Sequence, residues 1–226
     1  MRCSIAKTPK SVVLGAALLL ASIPLYVWAE ESGTTASPDA ALQALLAGNN
    51  RFCNGHSLRP HQDDSRRKSL VAGQKPLATI LSCSDSRVAP ELIFDQGLGD
   101  LFVIRVAGNS LDDEVLGSIE YSVEHLGTQL IVVMGHERCG ALTAAVKAVH
   151  EGNHIDALLR PLGPAVQDTK GMPGDRVDNA VRENVRIVAD ELKKSQPVLA
   201  NLHRKGTLKI VGAEYHLQSG RVEFLK

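Results

Sequence analysis

Two short segments hold the side chains best suited to chemistry in this chain of 226 residues. One is Ser82-Cys83-Ser84-Asp85-Ser86-Arg87 and the other is Gly135-His136-Glu137-Arg138-Cys139-Gly140. Between them they offer two thiols, an imidazole, and a carboxylate with a guanidinium two residues further on. His136 and Cys139 fall within one turn and can converge on a single ion, and Cys83 then completes a Cys2His set. Three protein ligands with a fourth position open are a catalytic zinc pattern, whereas structural sites close with four. Soft thiolates select zinc over magnesium or calcium. Blander readings stand beside this one: H-x-x-C arises by chance, Cys83 can be a small buried hydrophobe, and Cys83 with Cys139 can form a disulfide. Asp85 and Arg87 beside the set favour the metal, and Glu137 and Arg138 read as ordinary polar turn residues.

The elements around these segments explain why they can meet. Ala40 to Phe52 is an amphipathic helix, with Leu42, Leu45, Leu46 and Phe52 near one face and Asn54-Gly55 as its stop. A polar stretch from His56 to Lys68 reads as a loop and a short helix. Apolar strands then alternate with helical patterns: Leu77–Leu81, Leu101–Val106, Leu130–Met134, Leu208–Val211 and Val222–Leu225 as strands, with Val115–Leu126, Ala141–His150 and Val177–Lys194 as helices. That alternation predicts an α/β fold, a mainly parallel β-sheet core flanked by helices, with an N-terminal helical arm over 39–72. Ligands of such sheets bind beyond the carboxyl ends of the strands. Both reactive segments follow strands, the first after Leu81 and the second after Met134.

The first 29 residues are set apart. Arg2, Lys7 and Lys10 precede an apolar run from Val12 to Ile23, followed by Pro24 and the small residue Ala29. This is the grammar of a secretory signal peptide cleaved near Ala29, with 30–38 as a linker and a domain over 39–226. The apolar run is short for a membrane span, so no stable membrane anchor is expected, and the mature chain is expected in the periplasm or secreted. The precursor balances 25 Lys+Arg against 25 Asp+Glu. Loss of the three leader cations leaves a small acidic excess, which argues against nucleic acid as a partner. Loss of Cys3 leaves Cys53, Cys83 and Cys139, an odd number for an oxidising compartment.

These residues resemble the β-class carbonic anhydrases. The most specific parts are C-S-D-S-R-V at 83–88, the run from Phe94 to Phe102, and G-H-x-x-C-G at 135–140. The likeness extends from Gly48-Asn49-Asn50-Arg51-Phe52 in the arm to Gly212-Ala213-Glu214-Tyr215 and Val222-Glu223-Phe224-Leu225. It implies one Zn2+ per subunit held by Cys83, His136 and Cys139, and reversible hydration of CO2 to bicarbonate and a proton by zinc-bound hydroxide. It also implies a homodimer, or a tetramer built of dimers, with the active site completed across the dimer interface. Asp85 is expected to accept a hydrogen bond from the zinc-bound water and Arg87 to hold Asp85. Asp85 is also a conditional fourth ligand when it leaves Arg87.

The resemblance further suggests Gln74, reaching in from a neighbouring subunit, and Phe102, Tyr121 and the Gly140 N–H as substrate contacts. Ile80, where regulated members carry Trp, favours the type without a bicarbonate regulatory site. His125 matches a proposed proton-shuttle position and equally suits an exposed helix face. Cys53 lies outside the zinc set. Two other outcomes stay open at this point: a CS2 or COS hydrolase on the same scaffold, and a non-catalytic zinc-binding protein.

Overall fold

The computed structural model describes residues 36–225. The expected signal peptide, and most of the linker after it, lie outside the described residues. Helix α1 (Pro38–Cys53) begins where Ser37 accepts a hydrogen bond from the Ala40 N–H and Pro38 takes the first turn. Helix α2 (Asp64–Ser69) follows, then strand β1 (Ala78–Ser82) and the one-turn α3 (Pro90–Ile93). Strand β2 (Leu101–Arg105), helix α4 (Asp113–Glu124) and strand β3 (Leu130–His136) come next. After them run α5 (Gly140–Val146), α6 (His154–Leu159), a single 3-10 turn at Arg160–Leu162 and α7 (Gly163–Asp168). The chain closes with α8 (Arg176–Lys194), α9 (Leu199–Arg204), β4 (Lys209–Tyr215) and β5 (Val222–Phe224). Among the described residues no helix is long and apolar enough to cross a membrane.

The five strands form one sheet in the order β2-β1-β3-β4-β5, parallel except for β5. β1 and β3 sit centrally and are buried along their whole length, which is why they read as unbroken apolar runs. Alternate side chains serve opposite faces. Ile80, Val132 and Met134 pack with Ala41 and Leu45 of α1 and with Ile93 and Phe94. Leu81, Ile131 and Val133 pack against Val115, Ile119 and Val123 of α4 and Val185, Val188 and Leu192 of α8. The sheet is therefore covered on both faces, and its strand ends remain the place for chemistry.

The structure departs from the sequence expectation in several places, among them α3, α9 and the extension of β4 to Tyr215. β3 continues through Gly135 to His136 because β4 pairs with it as far as Tyr215, so His136 is the last residue of a strand and not part of the following loop. α5 stops at Val146 and does not reach His150, since Ala148 turns into the left-handed region at φ 52°. The stretch 154–168, for which the pattern gave no element, is helical but broken into short pieces, with Pro161 and Pro164 as the interruptions.

Candidate metal centre

Cys83 follows the last residue of β1, His136 ends β3, and Cys139 caps the start of α5. Because β1 and β3 are parallel neighbours, with Ser82 opposite Met134, their ends deliver the three side chains to one place. The two sulphurs and a ring nitrogen all lie within 4.8 Å of one another, and all three residues are buried. Both cysteines are free thiols, so the disulfide alternative is not realised.

The donor chemistry fits a zinc ion. His136 Nδ1 lies 2.9 Å from the Glu137 carbonyl oxygen, to which it donates. That fixes the tautomer and leaves the Nε2 lone pair facing inward. Nε2 is buried and has no hydrogen-bond partner, which is costly unless a metal takes it. Around the sulphurs stand backbone donors: the N–H groups of Gly108 and Asp85 toward Cys83, and those of Leu142 and Ala141 toward Cys139. The Cys139 S–H also donates to Cys83 and holds its thiol far below the ordinary value, while the same pairing, with burial, holds Cys139 above it.

Asp85 stands at the edge of this set. Arg87 donates to it twice from its side chain, Nε to Oδ1 at 2.9 Å and Nη2 to Oδ2 at 2.7 Å, and once from its backbone N–H at 2.9 Å. This bidentate clamp keeps the carboxyl ionised well below the usual carboxylate range. Asp85 Oδ2 is 3.9 Å from His136 Nε2, and Arg87 Nη2 reaches the Arg138 carbonyl at 3.3 Å, so the dyad bridges the two loops. A cavity of about 550 Å³ lined by Arg87, Glu137, Arg138, Tyr215, Leu217 and Gln218 opens beside it.

Other expected residues are placed differently. Gly140 is exposed and opens α5 next to Cys139. Phe102 pairs with Thr79, three residues or about 10 Å before the strand end. Its ring lies 6.1 Å from that of Tyr121, which lies 5.2 Å from that of His125. Gln74 is exposed ahead of the opposite end of β1. One chain does not gather these four onto its own cysteines. Cys53, half-buried in the arm, donates to Asn49 Oδ1 at 3.7 Å and is not part of the cluster.

Several residues that shape the site carry no motif. Arg105, at the end of β2, donates to the carbonyls of Cys83 and Asp85 at 3.1 and 2.6 Å and fixes that loop. The sequence reading missed it; a basic residue ending the strand beside a reactive loop is the signal that could have found it. Glu137 is not an ordinary turn residue: it accepts from His216 Nδ1 at 2.7 Å and from the Leu217 N–H at 2.9 Å. β4 pairing beside β3 creates that contact, which a linear reading cannot see.

Comparison with known proteins agrees with this geometry. Residues 78–222 match the family model described as carbonic anhydrase. A carbonic anhydrase of Mycolicibacterium smegmatis is 43% identical over 191 residues, covering 83% of this chain and 93% of its own. Among solved structures, the β-carbonic anhydrase CcaA superposes with a TM-score of 0.66 at 27% identity, covering 82% of this chain and 95% of that one. A tetrameric β-carbonic anhydrase from the ascomycete Sordaria macrospora does so with a TM-score of 0.66 at 26% identity, covering 81% and 96%. With a Cys-His-Cys cluster where that fold places its metal, this chain belongs to the β-class carbonic anhydrases, the enzymes that interconvert carbon dioxide and bicarbonate.

Proposed function

We propose that Cys83, His136 and Cys139 hold one Zn2+ and that CO2 is hydrated beside Asp85. The observation that carries this reading is the partnerless, buried Nε2 of His136 facing two free thiols. Zinc there supplies a Lewis acid that brings the pKa of water toward ~7. The protein supplies the rest. Glu137, through its carbonyl, sets the His136 tautomer. Asp85, kept anionic by Arg87, can only accept a hydrogen bond, so it orients the attacking water with a lone pair toward the carbon of CO2. Arg105 keeps the Asp85 backbone from drifting.

The site is completed by a second copy of the chain. Gln74, Phe102 and Tyr121 lie away from their own cysteines, which suits residues that serve a neighbour's site, and the Sordaria macrospora relative is tetrameric. The mature protein works outside the cytoplasm, a reading that rests on the leader-like residues 1–29 alone.

Stopped-flow hydration of CO2 tests the reading. Asp85→Ala should retain one zinc per chain and lose about 10²-fold or more in kcat/KM. Wild-type protein with full zinc that turns over CS2 but not CO2 would overturn it. N-terminal sequencing of secreted material checks cleavage near Ala29, and sedimentation checks the dimer.

A further inference from the structure

Four backbone N–H groups point at the two sulphurs, and three of them are local. Asp85 lies two residues beyond Cys83, and Ala141 and Leu142 lie two and three beyond Cys139, so the loop and the start of α5 bring them in automatically. The fourth is different. The Gly108 N–H donates to Cys83 Sγ at 3.3 Å across 25 positions of sequence. The Val106 N–H on the Ser82 carbonyl ties the turn to the end of β1 but does not by itself set how the Gly108 peptide is turned.

The other end of the same residue shows what does. Asn184 of α8 is 2% exposed and donates from Nδ2 to the Gly108 carbonyl at 2.9 Å, across 76 positions. Gly108 itself has φ 79°, and a Cβ there would lie 3.0 Å from Leu162 Cδ1 and 3.3 Å from Ala141 Cβ. A left-handed glycine wedged between two side chains, with its carbonyl tied to a buried amide, has one orientation for its N–H. Val181 and Val185, on the same turn of α8, are buried in the core on either side, so the amide is anchored to the largest helix of the domain.

We infer that Asn184 is a positioning residue for the zinc ligand Cys83, acting through the Gly108 peptide; the inference rests on the zinc reading above. An N–H bond to a thiolate draws charge from the sulphur and lowers its donation to the metal. The same bond keeps Cys83 in its ligand position, so losing the Asn184 anchor both loosens the hold on the ion and leaves the sulphur donating more strongly. A polar residue facing inward on a core helix is otherwise unfavourable, and here it has a task.

Cobalt in place of zinc makes the effect visible, because its near-ultraviolet band arises from charge transfer out of the thiolate sulphurs. The comparison uses full-length wild type, Asn184→Leu, Asn184→Ser and Val188→Ala, the last a core truncation on the same helix with no link to Gly108. In Asn184→Leu and Asn184→Ser the band should move to longer wavelength. Their zinc dissociation constant, read by chelator competition, should rise by ~10-fold or more. Val188→Ala should lower the thermal midpoint with neither change. An unshifted band in folded Asn184 variants overturns the inference, and so does an equal shift in Val188→Ala. If neither Asn184 variant folds, the amide serves the fold and the inference falls. Wild type that takes up neither metal defeats the zinc reading instead, a distinct result.

Discussion

Among the described residues lie two groups of three potential ligands, and only one is built for a metal. In Cys83, His136 and Cys139, as in Glu214, His216 and Glu223, the ligand atoms come within 4.8 Å of one another. Nearness alone does not separate them. Around the first set the surroundings offer neutral N–H dipoles to the sulphurs, and one ring nitrogen is left with no partner. In the second, Arg182 lies 2.7 Å from Glu214 Oε2 and 2.8 Å from Glu223 Oε2, and His216 is shared between Glu137 and Glu223 at 2.7 and 3.3 Å. Its carboxylates are thus engaged in ion pairs with cationic side chains, although neither Glu214 oxygen has a hydrogen-bond partner. What separates the two is the cation: α8 places the Arg182 guanidinium in the second group, whereas behind the first it offers only the neutral Asn184 amide, to the Gly108 carbonyl.

The largest test of that contrast is metal content. Cys139→Ser or His136→Ala should drop zinc from one per chain to almost none after dialysis against a chelator, with CO2 hydration lost alongside. A four-ligand zinc site is worth ~10–16 kcal/mol in binding, so each ligand stands for about 3 kcal/mol, or roughly 10²-fold in affinity. Glu223→Gln and His216→Ala should keep the full zinc complement. Loss of zinc in either of the latter, measured by atomic absorption, breaks the comparison.

The two groups also differ in how far the sequence reveals them. Cys83, His136 and Cys139 were legible because thiols and an imidazole at strand ends have few other uses, and β1 and β3 were legible because full burial makes them continuously apolar. Asp85 and Arg87 were legible through their spacing. Arg105, Gly108 and Asn184 act through main-chain atoms, and any residue supplies a main chain. In α8 the pattern shows Asn184 only as a polar break in an apolar face. Glu137 meets His216 because β4 pairs with β3 as far as Tyr215, and a register of that kind is not written in either strand. Phe102 resembled a pocket residue by its position, but the strand register sets it some 10 Å back from the end of β1 that Cys83 follows.

A second test exploits the proton held by Glu214. Its side chain is fully buried, and burial, with Asp178 adding to it, pushes the carboxyl up to about 7 from 4.5, against the pull of Arg182 and His216. Glu137, just beyond the end of β3, raises it further. The folded chain therefore keeps a proton that the unfolded chain has released between those two values. Stability from this group is full below about 4.5, falls as pH climbs, and is gone above about 7, a change of up to ~3 kcal/mol. Glu214→Gln cannot ionise, so its thermal midpoint should gain on wild type between pH 5 and pH 8. A constant difference across that range would show that Glu214 is ionised throughout, and that the second group holds more charge than its burial allows.

The smallest effect belongs to Arg182, and its sign depends on that same proton. At pH 5 Glu214 is neutral, and Arg182 keeps only Glu223 as an ionised partner, which is half-exposed. Arg182→Met should then cost only ~0–1 kcal/mol, as for surface pairs. At pH 8 the buried carboxylate loses the one guanidinium beside it. Removing one partner of a fully buried pair costs 3–5 kcal/mol, but Arg182 is 38% exposed and water screens part of the loss, so about 2 kcal/mol is expected. Chemical denaturation of wild type and Arg182→Met at the two pH values measures the difference. Equal costs would mean that Arg182 acts through the packing of its aliphatic stem against the sheet. The second cluster would then be held by shape, and its exclusion of a metal ion would need another cause than the charge of Arg182.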